Sequence, residues 1–253
     1  MKKLANKTAL ITGGSKGIGR AISLAFSREG SEVIFTYAKD KVSAEMLCQD
    51  ISLQGGRAHA ICIDHSNPNS AEEIFQRTVE INPKIDILVN NVGIFHRGSF
   101  LEITREQYDE VLYVNFGVPF FLCQHFARYM KSSGSGGSII NISSLSSFLS
   151  RSCMAHYQCS KAALTMLSRS LALELGEYGI RVNTVSPGLT ATEANRDQWQ
   201  HKDIVWKERS ACIPLRRAGI PEDHAGAVVF LASDDAKWIT GADVIIDGGM
   251  SIY

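Results

Sequence analysis

The sequence predicts a single doubly wound α/β domain, with a seven-stranded parallel sheet and helices on both faces. Three observations point to it. Short β-branched runs alternate with longer stretches of helical apolar spacing along all 253 residues. A glycine-rich run, TGGSKGIG at 12–19, falls between the first strand and the first helix. Apolar residues at 45% and charged residues at 21% give one globule ample material for a core.

The strands read as 8–12 (TALIT), 32–37 (EVIFTY), 58–63 (AHAICI), 85–89 (IDILV), 138–142 (SIINI), 180–185 (IRVNTV) and 243–246 (DVII). Helical spacing falls between them at 17–29, 40–54, 69–81, 104–131, 156–177 and 221–232. Asn69 and Thr104 open two of these segments, and Gln107 completes a capping box with Thr104. Strand and helix in steady alternation imply parallel strands joined by crossovers, hence a sheet wrapped on both faces. Pro119 falls inside the 104–131 segment, where its missing N–H predicts a kink. No linker or repeat divides the chain, so 1–253 reads as one domain. The stretch 187–214 is long and polar, with Trp199 and Trp206, and reads as an irregular lid.

Bulk properties exclude several classes. Lys+Arg and Asp+Glu are both 26, so no net field draws nucleic acid or anionic membrane. The most apolar long segment, near 111–126, is broken by Asn115, Gly117, Pro119, Gln124 and His125, too short to span a bilayer. No apolar stretch follows Met1-Lys2-Lys3 as a signal peptide requires, and the six cysteines form no CxxC pair. A cytoplasmic protein with reduced thiols is expected. The seven histidines show no ligand spacing such as HExxH, so no metal site is expected.

The run Gly13, Ser15, Lys16, Gly17, Ile18 and Gly19 has the chemistry of a phosphate loop. Glycines let the backbone turn sharply beside a pyrophosphate, which a helix N-terminus stabilises. The spacing is GxxxGxG rather than GxGxxG, so the place between strand and helix carries the argument. An acidic residue ending strand two would bind a ribose 2′-hydroxyl and repel a 2′-phosphate. That strand ends Tyr37-Ala38-Lys39, with no carboxylate until Asp40. Lys16 and Lys39 suit a 2′-phosphate, so NADP(H) is favoured and NAD(H) is the alternative.

Tyr157 and Lys161 lie four apart, one helical turn and about 6 Å of rise. An ammonium so placed favours the phenolate and moves the phenol from about 10 toward working pH. Such a phenol passes a proton to or from a substrate oxygen. Ser144 lies thirteen residues upstream.

Taken in order, these residues resemble the short-chain dehydrogenase/reductase family in its common form, over essentially the whole chain. The set comprises TGGSKGIG, Asp64, Asn90-Asn91-Val92-Gly93, Asn115, Ser144, Tyr157/Lys161, Pro187-Gly188, Ile239-Thr240-Gly241 and Asp247-Gly248-Gly249. The resemblance implies a Rossmann-type domain and a nicotinamide-dependent oxidoreductase acting on a small carbonyl or secondary-alcohol substrate. It implies Tyr157 as acid/base, Lys161 on the nicotinamide ribose, and Ser144, rather than Ser143, on the substrate oxygen. Asn115 would anchor a water chain from Lys161. Asp64 would face the adenine, and Asn90 would support the adenosine ribose. Gly93 belongs to the same cofactor wall, and Pro187, Gly188, Thr190 and Thr192 would meet the carboxamide. Val92 stands where the family usually has alanine. By analogy the protein is a homotetramer.

The substrate stays open. Residues at 94–99, 145–156 and 187–214 would face it, among them His96, Arg97, Phe148, Cys153, Met154, His156, Trp199 and Trp206. Overall resemblance suggests a 3-oxoacyl-carrier-protein reductase. Leu173, where those reductases often carry an arginine on the Tyr157 helix, argues against it. An alternative of another class is a catalytically silent scaffold that binds nucleotide, which would have no need of the Ser144–Tyr157–Lys161 set.

Overall fold

The computed structural model describes residues 2–200 and 203–252. In chain order its first half runs β1 (Thr8–Ile11), α1 (Gly17–Arg28), β2 (Glu32–Tyr37), α2 (Lys41–Leu53), β3 (Ala58–Cys62), α3 (Ser70–Ile81), β4 (Ile87–Asn90) and α4 (Arg105–Leu112). Then follow α5 (Val118–Ser133), β5 (Gly137–Ile142), α6 (Ala155–Leu175), β6 (Ile180–Pro187), α7 (Arg196–Trp199), α8 (Asp203–Ala211), α9 (Glu222–Ala232) and β7 (Asp243–Ile246). Among the described residues the sheet has seven strands, all parallel, in the order β3-β2-β1-β4-β5-β6-β7.

Alternation within the strands explains the two covered faces. Ala9 and Ile11 face one core and Leu10 the other; Val33 and Phe35 oppose Ile34, and Ile87 and Val89 oppose Leu88. Successive side chains point to opposite sides of a strand, so a run apolar at every position must be buried on both. Helices α1, α2 and α9 cover the first face through Phe26, Leu47 and Val228, while α3, α5 and α6 cover the second through Ile74, Phe126 and Ala172. Phe26 and Phe126 are wholly buried, and truncating either to alanine would cost about 3–5 kcal/mol.

Several boundaries differ from the sequence reading. β6 extends to Pro187 because Ser186 and Pro187 pair with Ile245 and Ile246. The expected single helix at 104–131 is interrupted. Thr104 and Gln107 form the expected capping box at the start of α4. A π-turn at Tyr113–Gly117 then separates α4 from α5, with the Val118 N–H reaching back to the Tyr113 carbonyl. Tyr113, Gly117 and Val118 keep right-handed helical angles, so Pro119 sits within a continuous helical path directly after the π-turn, which re-routes the bonding around its missing N–H. The 187–214 stretch is not irregular: it holds a 3₁₀ turn at Glu193–Asn195 followed by α7 and α8. Its residues 201–202 lie outside those described. Among the described residues no helix is long and apolar enough to cross a membrane.

Candidate functional site

The chain reverses its direction across the sheet between β1 and β4, which are neighbours. Loops leaving the carboxyl ends of two such strands diverge and leave a crevice. A cavity of about 580 Å³ lies there, lined by Gly13, Lys16, Gly17 and Ile18 of the first loop and by Val92, Gly93, Ser144, Tyr157 and Lys161. Pro187, Gly188, Thr190 and Thr192 complete one wall.

The first loop is held from below. The Gly13 N–H donates to the Thr36 hydroxyl at 2.9 Å, and the Gly14 N–H to the Thr36 carbonyl at 3.0 Å. Gly13 and Gly17 have φ of +63° and +52°, the left-handed region that glycine enters freely. A Cβ at Gly19 would stand 2.2 Å from the Gly13 carbonyl oxygen, so helix and loop touch only because Gly19 lacks one. Lys16, at the N-cap of α1, offers no side-chain acceptor to the first turn, and that turn holds no carboxylate. Its N–H groups are left for an anion, and the loop fits a dinucleotide pyrophosphate.

Asn91 binds this loop to the next. Its side-chain N–H₂ donates to the Thr12 carbonyl at 2.9 Å and the Gly13 carbonyl at 3.3 Å, while its backbone N–H reaches the Thr12 hydroxyl at 2.8 Å. Asn90, expected beside the adenosine ribose, is buried facing the other way. Its N–H₂ donates to Asn141 Oδ1 at 2.8 Å and lies 3.3 Å from Cys123 Sγ. Adjacent residues at a strand end project to opposite faces, so one of the pair must turn into the core.

Tyr157, on α6, packs edge-on against Phe95 with ring centroids 6.0 Å apart. Burial pushes its phenol above the ordinary tyrosine value, and the facing Ser144 hydroxyl pulls it part of the way back. Lys161 is 3% exposed, and burial lowers its ammonium to about 8. It donates to the Ile142 carbonyl at 2.9 Å. Turned to that carbonyl, the ammonium lies 6.0 Å from the centre of the Tyr157 ring. Ser143 also lines the cavity, but its hydroxyl is taken up by the Lys161 carbonyl at 3.1 Å and Thr165 at 2.8 Å.

The remaining expected residues divide. Asn115 is wholly buried and does not line the cavity: it accepts the Ile94 N–H at 2.8 Å and donates to the Ile94 carbonyl at 2.8 Å and Ser160 Oγ at 3.1 Å. Its side chain clasps the loop after β4 to α6, a structural use of the amide. Ser15 is buried under the loop. Tyr37 is half-buried and Lys39 and Asp64 are exposed beyond the cavity. Ser66 donates its N–H and its hydroxyl to Asp64, which holds that carboxyl below its ordinary value. Asp40 caps α2 by accepting from Ser43 and pairs with Lys16 at 2.5 Å; the two partners lower its pKa to about 2. Thr190 hydrogen-bonds the buried His224 at 2.9 Å, and Trp199 donates to the Thr192 carbonyl at 2.9 Å.

On the substrate side, Arg97 and Met154 line the cavity as expected, and His96 instead pairs with Glu110 at 2.9 Å. Phe148 and Cys153 are exposed. Arg151 and Arg209 also line the cavity and carried no sequence signal of their own beyond falling in the substrate-facing segments 145–156 and 187–214.

Comparison with known proteins agrees with this geometry. A family model described as enoyl-(acyl carrier protein) reductase matches residues 13–251. The chain is 39% identical to an L-rhamnose 1-dehydrogenase (NAD(P)(+)) of Azotobacter vinelandii, covering 98% of each chain. It is 34% identical to an L-rhamnose 1-dehydrogenase (NADP(+)) of Thermoplasma acidophilum, covering 97% of this chain and 96% of the other. A crystal structure from Beutenbergia cavernae, provisionally named an NAD(P)-dependent gluconate 5-dehydrogenase and holding NADP at low occupancy, superimposes with a TM-score of 0.93 at 33% identity, covering 99% of each chain.

Proposed function

The chain belongs to the short-chain dehydrogenase/reductase family and is an NAD(P)-dependent oxidoreductase of CH–OH and C=O groups; from that premise we propose that Tyr157 is its acid/base and NADP(H) its preferred cofactor. The observation that carries the reading is the placing of Ser144, Tyr157 and Lys161 on one wall of a cavity that begins at the phosphate loop. In the oxidative direction a secondary alcohol and the oxidised cofactor give a carbonyl, the reduced cofactor and a proton. The bound nicotinamide supplies the redox chemistry, taking or giving the hydride.

The chain's own residues manage the proton and the geometry. Tyr157 takes the hydroxyl proton, or returns it to the carbonyl oxygen in reduction. Ser144 donates to that same oxygen and holds it against the phenol. Lys161 sets a positive charge under the site, at the ribose. Asn115 keeps the Ile94 loop fixed against α6, and Gly93 leaves room for the Lys161 ammonium, since a Cβ there would stand 3.1 Å from Nζ. Pro187, Gly188, Thr190 and Thr192 would hold the nicotinamide carboxamide, and the described residues of 187–214 would serve as a lid over it.

Preference for NADP(H) rests on the edge of β2. Asp40, the first carboxylate beyond it, is committed to capping α2 and to Lys16. With Asp40 turned to Ser43 and Lys16, no carboxylate directly ends β2 to receive a 2′-hydroxyl, while Lys39, and Lys16 on leaving Asp40, can meet a 2′-phosphate. The names of the relatives direct the substrate reading toward a polyhydroxylated compound rather than a carrier-protein thioester. The exposed Leu173 on α6 offers no charge for an acidic carrier. Phe120, Phe121 and Met166 on α5 and α6 are also exposed, and we assign them to contacts within a homotetramer, which light scattering would register.

The test is nicotinamide absorbance across a panel of sugars, polyols and ketones with both cofactors. One class should turn over with NADP(H), and Tyr157→Phe should lower kcat by about 10²–10⁴ while cofactor binding persists. Unchanged turnover in that variant would remove Tyr157 from the mechanism.

A further inference from the structure

We propose that the substrate of this site carries an anionic oxygen group, a carboxylate or a phosphate, received by Arg97, Arg151 and Arg209. The inference rests on the dehydrogenase reading above and narrows its substrate class.

The three arginines come from three separate segments and line the same cavity as Tyr157. Arg97 lies on the loop after β4, Arg151 on the segment before α6, and Arg209 on α8. The first two segments are joined where the Gly98 N–H donates to the Cys153 carbonyl at 3.2 Å. Arg209 rests 6.0 Å above the Trp206 ring, which holds its guanidinium without neutralising it. Arg151 reaches only the Met250 sulfur, at 3.6 Å, a weak acceptor.

Four arginines elsewhere pair with acids, Arg20 with Asp50, Arg77 with Glu73, Arg105 with Asp109 and Arg217 with Asp223, while Arg28, Arg181 and Arg216 bond to Gln54 or to backbone carbonyls. Among the described residues, neither Arg151 nor Arg209 has a carboxylate partner. Burial pushes the Arg209 guanidinium below its ordinary value, and the charges of Arg151 and Arg97, which line the same cavity, push it further down. Among the described residues the one carboxylate lining the cavity, Glu193, lies against the phosphate loop, 3.6 Å from where a Gly17 Cβ would be. The half-buried Arg151 and Arg209 guanidiniums have no carboxylate partner among the described residues, which is costly for two like charges, and guanidinium forks match carboxylate and phosphate oxygens two at a time; Arg97 lines the same cavity and is exposed. A neutral sugar would leave that cost in place; an oxyanion relieves it.

The experiment compares glucose, gluconate and glucose 6-phosphate, which share a carbon skeleton and differ in charge. Binding to the NADP⁺-loaded enzyme is measured by calorimetry, and turnover by nicotinamide absorbance. At least one anion should bind about tenfold tighter than glucose or better. Whichever anion does so tells a carboxylate pocket from a phosphate pocket. Arg209→Met and Arg151→Met should each cut the anion-over-glucose preference about tenfold through KM rather than kcat, with Arg209→Lys recovering part of it. Anions that bind wild type no tighter than glucose overturn the proposal, as do folded methionine variants with the preference intact. Arginine-dependent anion binding with no turnover of any compound would instead defeat the dehydrogenase reading and keep the anion site.

Discussion

The Lys161 ammonium lies 6.0 Å from the centre of the Tyr157 ring and gives its hydrogen bond to the Ile142 carbonyl. Desolvation there lowers its pKa from 10.5 to about 8. Between those values the unfolded chain holds a proton that the folded chain has lost, so this residue makes stability rise with pH from about 8 to 10.5. Below that window the buried charge costs roughly 3 kcal/mol. Lys161→Met should therefore stabilise the cofactor-free protein at neutral pH and flatten its stability profile relative to wild type across that window. Urea unfolding of both proteins at pH values spanning it decides the point; parallel profiles would show that the charge is not the cause.

Lys16→Ala should weaken NADPH more than NADH. Loss of a charge-assisted contact to a phosphate is worth about 1.5–3 kcal/mol, a factor of roughly 10–100. It also frees Asp40, whose carboxyl then repels the 2′-phosphate. Fluorescence titration with each cofactor measures the ratio, and equal losses would detach Lys16 from the 2′-phosphate.

Gly19→Ala places a carbon 2.2 Å from the Gly13 carbonyl oxygen and 2.6 Å from Asn91 Nδ2. Backbone cannot yield as a flexible side chain does, so a cost of about 1–3 kcal/mol or more is expected. The melting temperature should fall, and cofactor affinity with it. A variant that melts normally and binds NADPH as wild type does would mean that α1 can withdraw from the loop.

Asn91→Ala and Asn90→Ala should separate function from packing. The first removes donors to the Thr12 and Gly13 carbonyls and loosens the phosphate loop, so cofactor affinity falls about tenfold. The second breaks a buried link to Asn141, so stability falls by about 1–3 kcal/mol and affinity follows only as far as folding does. Paired melting and titration curves give the answer, and a reversal of the two effects would exchange their roles.

Strand periodicity made the sheet legible: Ala9, Leu10 and Ile11 are apolar in succession because both faces are covered, and the chain states that directly. Turn chemistry was as plain at Thr104 and Gln107. The interruption between α4 and α5 was hidden, since Tyr113–Gly117 keeps helical spacing and differs only in which carbonyl each N–H meets. Asn90 and Asn91 read alike in sequence, and only the strand's register decides which one faces the loop. Arg151 and Arg209 were illegible for another reason. Nothing local marks an arginine without a carboxylate partner, and the convergence of two such residues with Arg97 on one cavity is a property of the tertiary structure. The 187–214 stretch was read as loop because α7 and α8 are short and polar, and neither length nor spacing announces them.

Asn115 meets both the N–H and the carbonyl of Ile94, each at 2.8 Å. A side-chain amide here does the work of a neighbouring strand's peptide group, giving one residue of a loop the two bonds that a ladder would. An aspartate has the same outline but no N–H₂, and would set two oxygens face to face at the Ile94 carbonyl. The position therefore accepts shape only together with polarity, and the loop that carries Phe95 and Arg97 toward the substrate is tied at its root by a surrogate peptide.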